Sequence, residues 1–262
     1  MKLKLVVSRQ GMVWVRQGLR VFFRRPMSFC MLFLLYLFIG PMLMFAVAPL
    51  ATLGFMIATQ QTLQNRFPLP GVFITPLRSG RSKCWAQIQL GLAYAVSVAL
   101  VFWLSDMVGG SAYDALGQAV AAGKTSPEEL QPLLSDAGLQ FGWLLMMAGI
   151  ALLSLPFWHA PALVHWGGQS AAKSLFFSTV ACWRNKGALA VFSLTWGAVI
   201  VALAVTSAMI FSLLGVPQMA FAALTPAMLM LSAAFYASLY FTFIDSFEAA
   251  ASVPPPTLET IS

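Results

Sequence analysis

The stretch that decides the fold runs from residue 8 to residue 59: SRQGMVWVRQGLRVFFRR (8–25), followed at once by PMSFCMLFLLYLFIGPMLMFAVAPLATLGFMIAT (26–59). The second part carries no charged residue. As one straight helix it would reach about 50 Å, well beyond the ~30 Å hydrocarbon core of a bilayer. Gly40-Pro41 and Ala48-Pro49 each offer a break, so the run reads as two short spans joined by a tight turn, about 26–41 and 42–62. Charge supports this reading. The next segment, 63–83, holds Arg66, Arg78, Arg81 and Lys83 and no acid, which places it on the cytoplasmic side with the N-terminus. One long span would put it outside.

Working outward toward the N-terminus, Met12, Val15, Leu19 and Phe22 recur at spacings of three and four, while Arg16, Arg20 and Arg24 line another face. That is an amphipathic helix. It is expected to lie along the cytoplasmic surface, with Trp14 and Phe23 at headgroup level, until the chain turns in at Arg25-Pro26. The basic residues among the first 25, with no apolar region ahead of a small-residue cleavage site, do not describe a cleavable signal peptide. The first apolar run therefore reads as a retained anchor.

Composition agrees with a membrane protein. The chain has 262 residues, of which 60% are hydrophobic and only 9% charged, with a mean hydropathy of +0.82. A soluble domain carries roughly 25% charged residues to hydrate its surface. The net charge of +7 does not read as a nucleic-acid footprint, because the basic residues flank apolar runs instead of forming one patch. Cys30, Cys84 and Cys182 are scattered, form no CxxC pair and fall near the reducing cytoplasmic face. They read as small apolar residues.

Toward the C-terminus, prolines 68, 70 and 76 keep the basic loop from forming a long helix. Spans follow at about 84–106, 140–160, 188–213 and 219–244, with Trp85 and Trp103 near the ends of the first of these as an aromatic belt predicts. Residues 107–138 hold Asp114, Glu128, Glu129 and Asp136 against the single Lys124 and read as a small helical periplasmic loop. In it, Ser126-Pro127-Glu128-Glu129 is a helix start. Residues 169–185 resemble the first amphipathic segment, with Phe176, Val180 and Trp183 on one face and Arg184 at the end. Setting Phe23-Arg24-Arg25 on Trp183-Arg184-Asn185 suggests a duplicated unit, an interfacial helix leading into a helical hairpin.

The expected fold class is thus all-α: a polytopic membrane protein with six transmembrane helices, two cytoplasmic interfacial amphipathic helices (8–25 and 169–185) and the periplasmic loop. It forms a single membrane domain over 1–247, followed by a disordered cytoplasmic tail at 248–262. Both termini are expected to be cytoplasmic, with every Lys and Arg except Lys124 on that side.

Chemistry is sparse. No span carries Asp, Glu, Lys or Arg near its middle, which disfavours a carboxylate proton relay. The neutral polar residues Gln87, Gln89, Ser97, Ser154, Ser193, Thr195 and Ser232 suit interhelical hydrogen bonds more than a transport path. His159 and His165 in WHAPALVHW are six apart, with no acid or Cys nearby to complete a metal site; they read as interfacial histidines between Trp158 and Trp166. Gly91-xxx-Ala95 and Ala233-xxx-Ala237 are spaced for close helix packing. No cofactor, metal or catalytic motif emerges.

WVRQGLRVFFRRP, the Pro41…Pro49-Leu-x-x-x-Gly54 pattern and APALVHWGGQSAAKSLFFSTVACWRNKGAL together resemble an uncharacterised family of six-span proteobacterial inner-membrane proteins. That family is similar in design to the membrane domain attached to some glycerophosphodiester phosphodiesterases. The resemblance implies a duplicated helical bundle and supplies no catalytic residue. The expected role is a non-catalytic scaffold, assembly factor or lipid-organising module. Its candidate contacts to anionic headgroups or a protein partner are Arg16, Arg20, Arg24, Arg25, Trp183, Arg184 and Lys186. The alternative is a transporter or channel for a small neutral or lipidic solute, using the kinks at Pro156, Pro161 and Pro226.

Overall fold

The computed structural model describes residues 2–124, 126–216 and 218–248; at 39–44 and 127 it describes backbone alone. The expected disordered tail falls almost entirely on 249–262, outside the described residues. The chain runs through helices α1 (Gln10–Arg24), α2 (Pro26–Leu63), α3 (Arg81–Ala121), α4 (Pro127–Leu134), α5 (Ala137–Phe157), α6 (Ala160–His165), α7 (Ala171–Arg184), α8 (Lys186–Leu213) and α9 (Met219–Ser246). Two short 3-10 turns, Pro70–Phe73 and Thr75–Arg78, fill the proline-rich loop. Strand β1 (Lys2–Leu3) pairs antiparallel with β2 (Phe247–Glu248).

Helix α2 is assigned without interruption, yet it does not run straight. The Phe33 and Phe55 rings lie 6.3 Å apart, and the Arg25 guanidinium sits 5.5 Å from the centre of the Phe67 ring. A straight helix would separate either pair by at least about 30 Å. The helix therefore folds back between Phe33 and Phe55, the stretch that contains both proline breaks, and its two ends meet on one face. The pairing of β1 with β2 brings Lys2–Leu3 beside the residues that follow α9 as well.

Among the described residues, four helical segments are long and apolar enough to cross a bilayer: α3, α5 continued through α6, α8 and α9. Their exposed side chains include Ile88, Leu92 and Val96 on α3, Leu144 and Leu152 on α5, and Leu194, Val201 and Val205 on α8. Apolar faces of this extent belong against lipid. The chain is an all-helical polytopic membrane protein, but six clear spans do not result. The first arm of α2, Pro26–Phe38, meets α1 at 100° and makes a fifth candidate only if the bent pair counts as one. Alone this arm is about 20 Å long, short of the hydrocarbon thickness.

Helix boundaries depart from the sequence reading at the acidic segment. α3 continues through Asp106 to Ala121 as a 41-residue helix, so much of 107–138 prolongs a span instead of forming a separate loop. Ser105 explains how α3 and α5 stay together there. Its hydroxyl donates to the Gly142 carbonyl at 2.9 Å and meets the Tyr113 hydroxyl at 2.9 Å. α4 starts where the sequence predicts, with Ser126 Oγ accepting from the Glu129 N–H.

The core has two parts. The larger gathers α1, α2, α8 and α9, with Ala162 and Leu163 of α6 and Ala181 of α7, around Trp14, Phe22, Phe55 and Phe192, and the smaller gathers α3, α5 and the other sides of α6 and α7 around Leu90, Phe157 and Val164. The two parts adjoin through α6 and α7, and α3 closes on α2 where Gly91 abuts Ala46, so closely that a Cβ would overlap the Ala46 carbonyl. Ala233 and Ala237 are likewise fully buried, and the Ala237 carbonyl accepts from Thr59 Oγ1 at 3.1 Å. Both small-residue stripes are seams within one chain.

Candidate functional site: a clasp, a basic edge and a cleft

At the face where β1 and β2 pair, a polar knot ties four parts of the chain together. Asn185 is the single residue between α7 and α8. Its Oδ1 accepts from the Val6 N–H at 3.0 Å, and its Nδ2 reaches the Lys4 carbonyl at 3.1 Å and Ser246 Oγ at 3.2 Å. The Lys4 N–H donates to the Ser246 carbonyl at 2.9 Å. One residue earlier, Asp245 Oδ2 accepts from Gln10 Nε2 at 2.8 Å and from Trp14 Nε1 at 2.7 Å. Hydrogen bonds to a carboxylate are among the stronger ones available. Together these contacts pin the N-terminal segment and α1 to the end of α9.

Trp14 corrects the expectation for α1. It is 0% exposed, enclosed by protein and not facing headgroups, and its ring lies edge-on to Phe192. The buried face of α1 is Gly11, Trp14, Val15, Gly18, Val21 and Phe22. Cβ atoms on Gly11 and Gly18 would overlap Ala188 and Ser238, so α1 packs directly on the backbones of α8 and α9. Arg16, Arg20 and Arg25 are exposed and Arg24 is half-buried.

α7 is mounted the other way. Its packed face is Ala171, Ser174, Ser178, Ala181 and Cys182, while Phe176 is 63% and Trp183 66% exposed. Ser178 Oγ donates to the Leu155 carbonyl at 2.8 Å and accepts from the His159 N–H at 2.9 Å, fixing α7 to the end of α5. Burial pushes the Cys182 thiol up to about 12, so it stays protonated and unreactive.

The predicted contact residues fall into two groups. Lys186 Nζ sits 5.0 Å from the Trp183 ring centre, and Arg184 is exposed beside them. Arg25 covers Phe67 at the far end of α1. The α7–α8 junction adjoins the start of α1, because a Cβ on Gly187 would touch Ser8 Oγ. α1 is about 22 Å long, so Arg16 and Arg20 bridge the two groups along one edge.

Of the two histidines, His159 is enclosed by protein and not open to headgroups. His159 is 1% exposed, with its ring against Phe243 and Phe247. His165 sits at the other end of α6, where its carbonyl accepts from Lys83 Nζ at 2.7 Å. Among the described residues, no three His, Cys, Asp or Glu side chains gather as a metal would require.

A cleft of about 520 Å³ opens between α7 and the strand pair, lined by Leu3, Leu163, Gln169, Ala172, Lys173, Phe176, Phe177, Val180 and Phe247. Neither the cleft nor the clasp was legible in the sequence as a site. The available signals were small: Asn185 stands among cations at a helix junction, and Asp245 is an isolated acid at the end of a span.

The chain is 33% identical over 258 residues to a probable inner membrane protein of Burkholderia thailandensis, with 94% of each chain covered. The chain belongs to that protein's family. No protein-family model and no solved structure matches it. As a member of this inner-membrane family it is a multi-pass inner-membrane protein, and the shared region takes in nearly the whole chain. The similarity therefore reaches both halves of the bundle and extends beyond any one span.

Proposed function

We propose that this inner-membrane protein is a non-catalytic module that organises anionic lipid, or a protein partner held at the lipid surface, through the basic edge of α1 and the α7–α8 junction. The observation that carries this reading is the outward face of α1. Arg16, Arg20 and Arg25 are exposed along it, and neither α1 nor α7 contains a carboxylate. Each Lys or Arg near an anionic surface contributes about 1 kcal/mol of attraction. The clasped face is cytoplasmic on this reading, since the helix order leaves every Lys and Arg but Lys124 on its side. α1 and α7 then lie at the inner interface. The two arms of α2 supply the fifth and sixth membrane segments as a hairpin entered from that side.

A solute carrier is the weaker reading, because the two halves meet backbone to backbone at Gly91 and Ala46. The test is purification in native lipid followed by mass spectrometry. Enrichment of phosphatidylglycerol or cardiolipin over the bulk membrane, or a stoichiometric partner, is expected. Recovery of neither rejects the proposal.

A further inference from the structure

We infer that the cleft between α7 and the terminal strand pair is a binding site for one anionic phospholipid, its acyl chain lying against Phe176, Phe177 and Val180 and its headgroup beside Lys173. The inference deepens the lipid-organising reading and rests on it for the location of the membrane.

Three observations converge on this occupant. The lining is apolar along its floor, and among the described residues its only charged one is Lys173, with Gln169 as the other hydrogen-bonding side chain. No carboxylate among the described residues lines it, so the charge pattern favours a single anionic headgroup. At about 520 Å³ the cleft falls within the ~300–1,000 Å³ usual for ligand sites. It is also continuous with a surface built for lipid. Phe176 and Phe177 belong at once to the cleft wall and to the exposed aromatic face of α7, and Trp183 extends that face toward Lys186. An acyl chain can pass from the bilayer along this face without crossing a polar barrier.

The far wall is the clasp itself. Leu3 and Phe247 are cross-strand partners, and both line the cleft. The pairing of Lys2 with Glu248 lies one register position beyond them. The N-terminal strand thus completes the site, and an occupant there would bridge α7 and the two strands.

The experiment places p-benzoylphenylalanine at Phe177 in the full chain, held in vesicles of phosphatidylethanolamine with one-fifth phosphatidylglycerol. Photo-adducts are then identified by mass. The same probe at Leu92, exposed on α3, reports ordinary lipid contact. The expected result is phosphatidylglycerol adducts at Phe177 about fivefold above their bulk proportion, falling to that proportion with Lys173→Gln. Ala172→Trp, which fills the cleft from an exposed position, should abolish the excess. Adducts at the bulk ratio in all these chains overturn the inference. A crosslink from Phe177 to residues 249–262, or to another protein, overturns it too by assigning the cleft a different occupant. Arg16→Gln with Arg20→Gln separates the two proposals, because it weakens the basic edge and leaves the cleft adducts unchanged.

Discussion

α1 and α7 are alike in sequence and opposite in use. Each is a short helix joined to the next by a single residue, Arg25 or Asn185, and each carries aromatic side chains at helical spacing. α1 turns its aromatic face inward, with Trp14 and Phe22 buried, and shows arginines. α7 turns a face of Ala and Ser inward and shows Phe176 and Trp183. In water the apolar face would have to be the buried one. Beside a bilayer that rule loses force, since lipid and protein interior are equally apolar and close fit decides which face meets protein. α1 wins its fit through Gly11 and Gly18; α7 wins its own through Ala171, Ser174, Ser178 and Ala181.

The sharpest way to break this contrast is to deny α1 its close approach. Gly18→Leu forces a side chain into the Ser238 backbone and should cost about 3 kcal/mol, read as a lowered thermal midpoint and loss of monodispersity in detergent. An unchanged midpoint would mean that α1 is not seated as described. Next in size is Asp245→Leu, which strands the Trp14 and Gln10 donors. It should destabilise the protein by about 2 kcal/mol, whereas Asp245→Asn retains an acceptor and should lose less.

Phe176→Ser combined with Trp183→Ser tests the other half of the comparison. Neither side chain supports the core, so stability in detergent should change by less than about 0.5 kcal/mol. A nitroxide at position 176, in a chain whose three cysteines are replaced by alanine, should collide with oxygen dissolved in lipid. One at position 16 should instead collide with a water-soluble nickel chelate, and identical accessibilities would remove the distinction. The smallest structural effect belongs to Arg16→Gln with Arg20→Gln. The midpoint should hold while phosphatidylglycerol enrichment falls several-fold, measured by lipid mass spectrometry.

Particular residues show how far the sequence could be read. The Ser126 cap placed α4, and the charge-free run from Pro26 with cations on both sides predicted a turn whose ends do meet at the Arg25–Phe67 contact, although the run supplies no clear pair of spans. The end of α3 was misplaced because Asp106 and Asp114 look like a boundary, although a helix can carry acids onward once it has left the bilayer. His159 was misplaced because tryptophans flank it. Those tryptophans pack inward too, Trp158 donating to Thr242 Oγ1 at 3.1 Å and Trp166 stacking on Phe243.

By itself, then, the sequence determined that the protein is helical, that it resides in a membrane and where its positive charge gathers. Each of these follows from hydration energies, which are local properties of a segment. Only the tertiary structure decided which side chains the two arms of α2 bring together and which face of α1 and of α7 meets protein. It alone also showed that β1, β2 and α7 enclose a cleft. Those outcomes depend on shape between segments distant in the chain, and periodicity carries no record of which neighbour a face will fit.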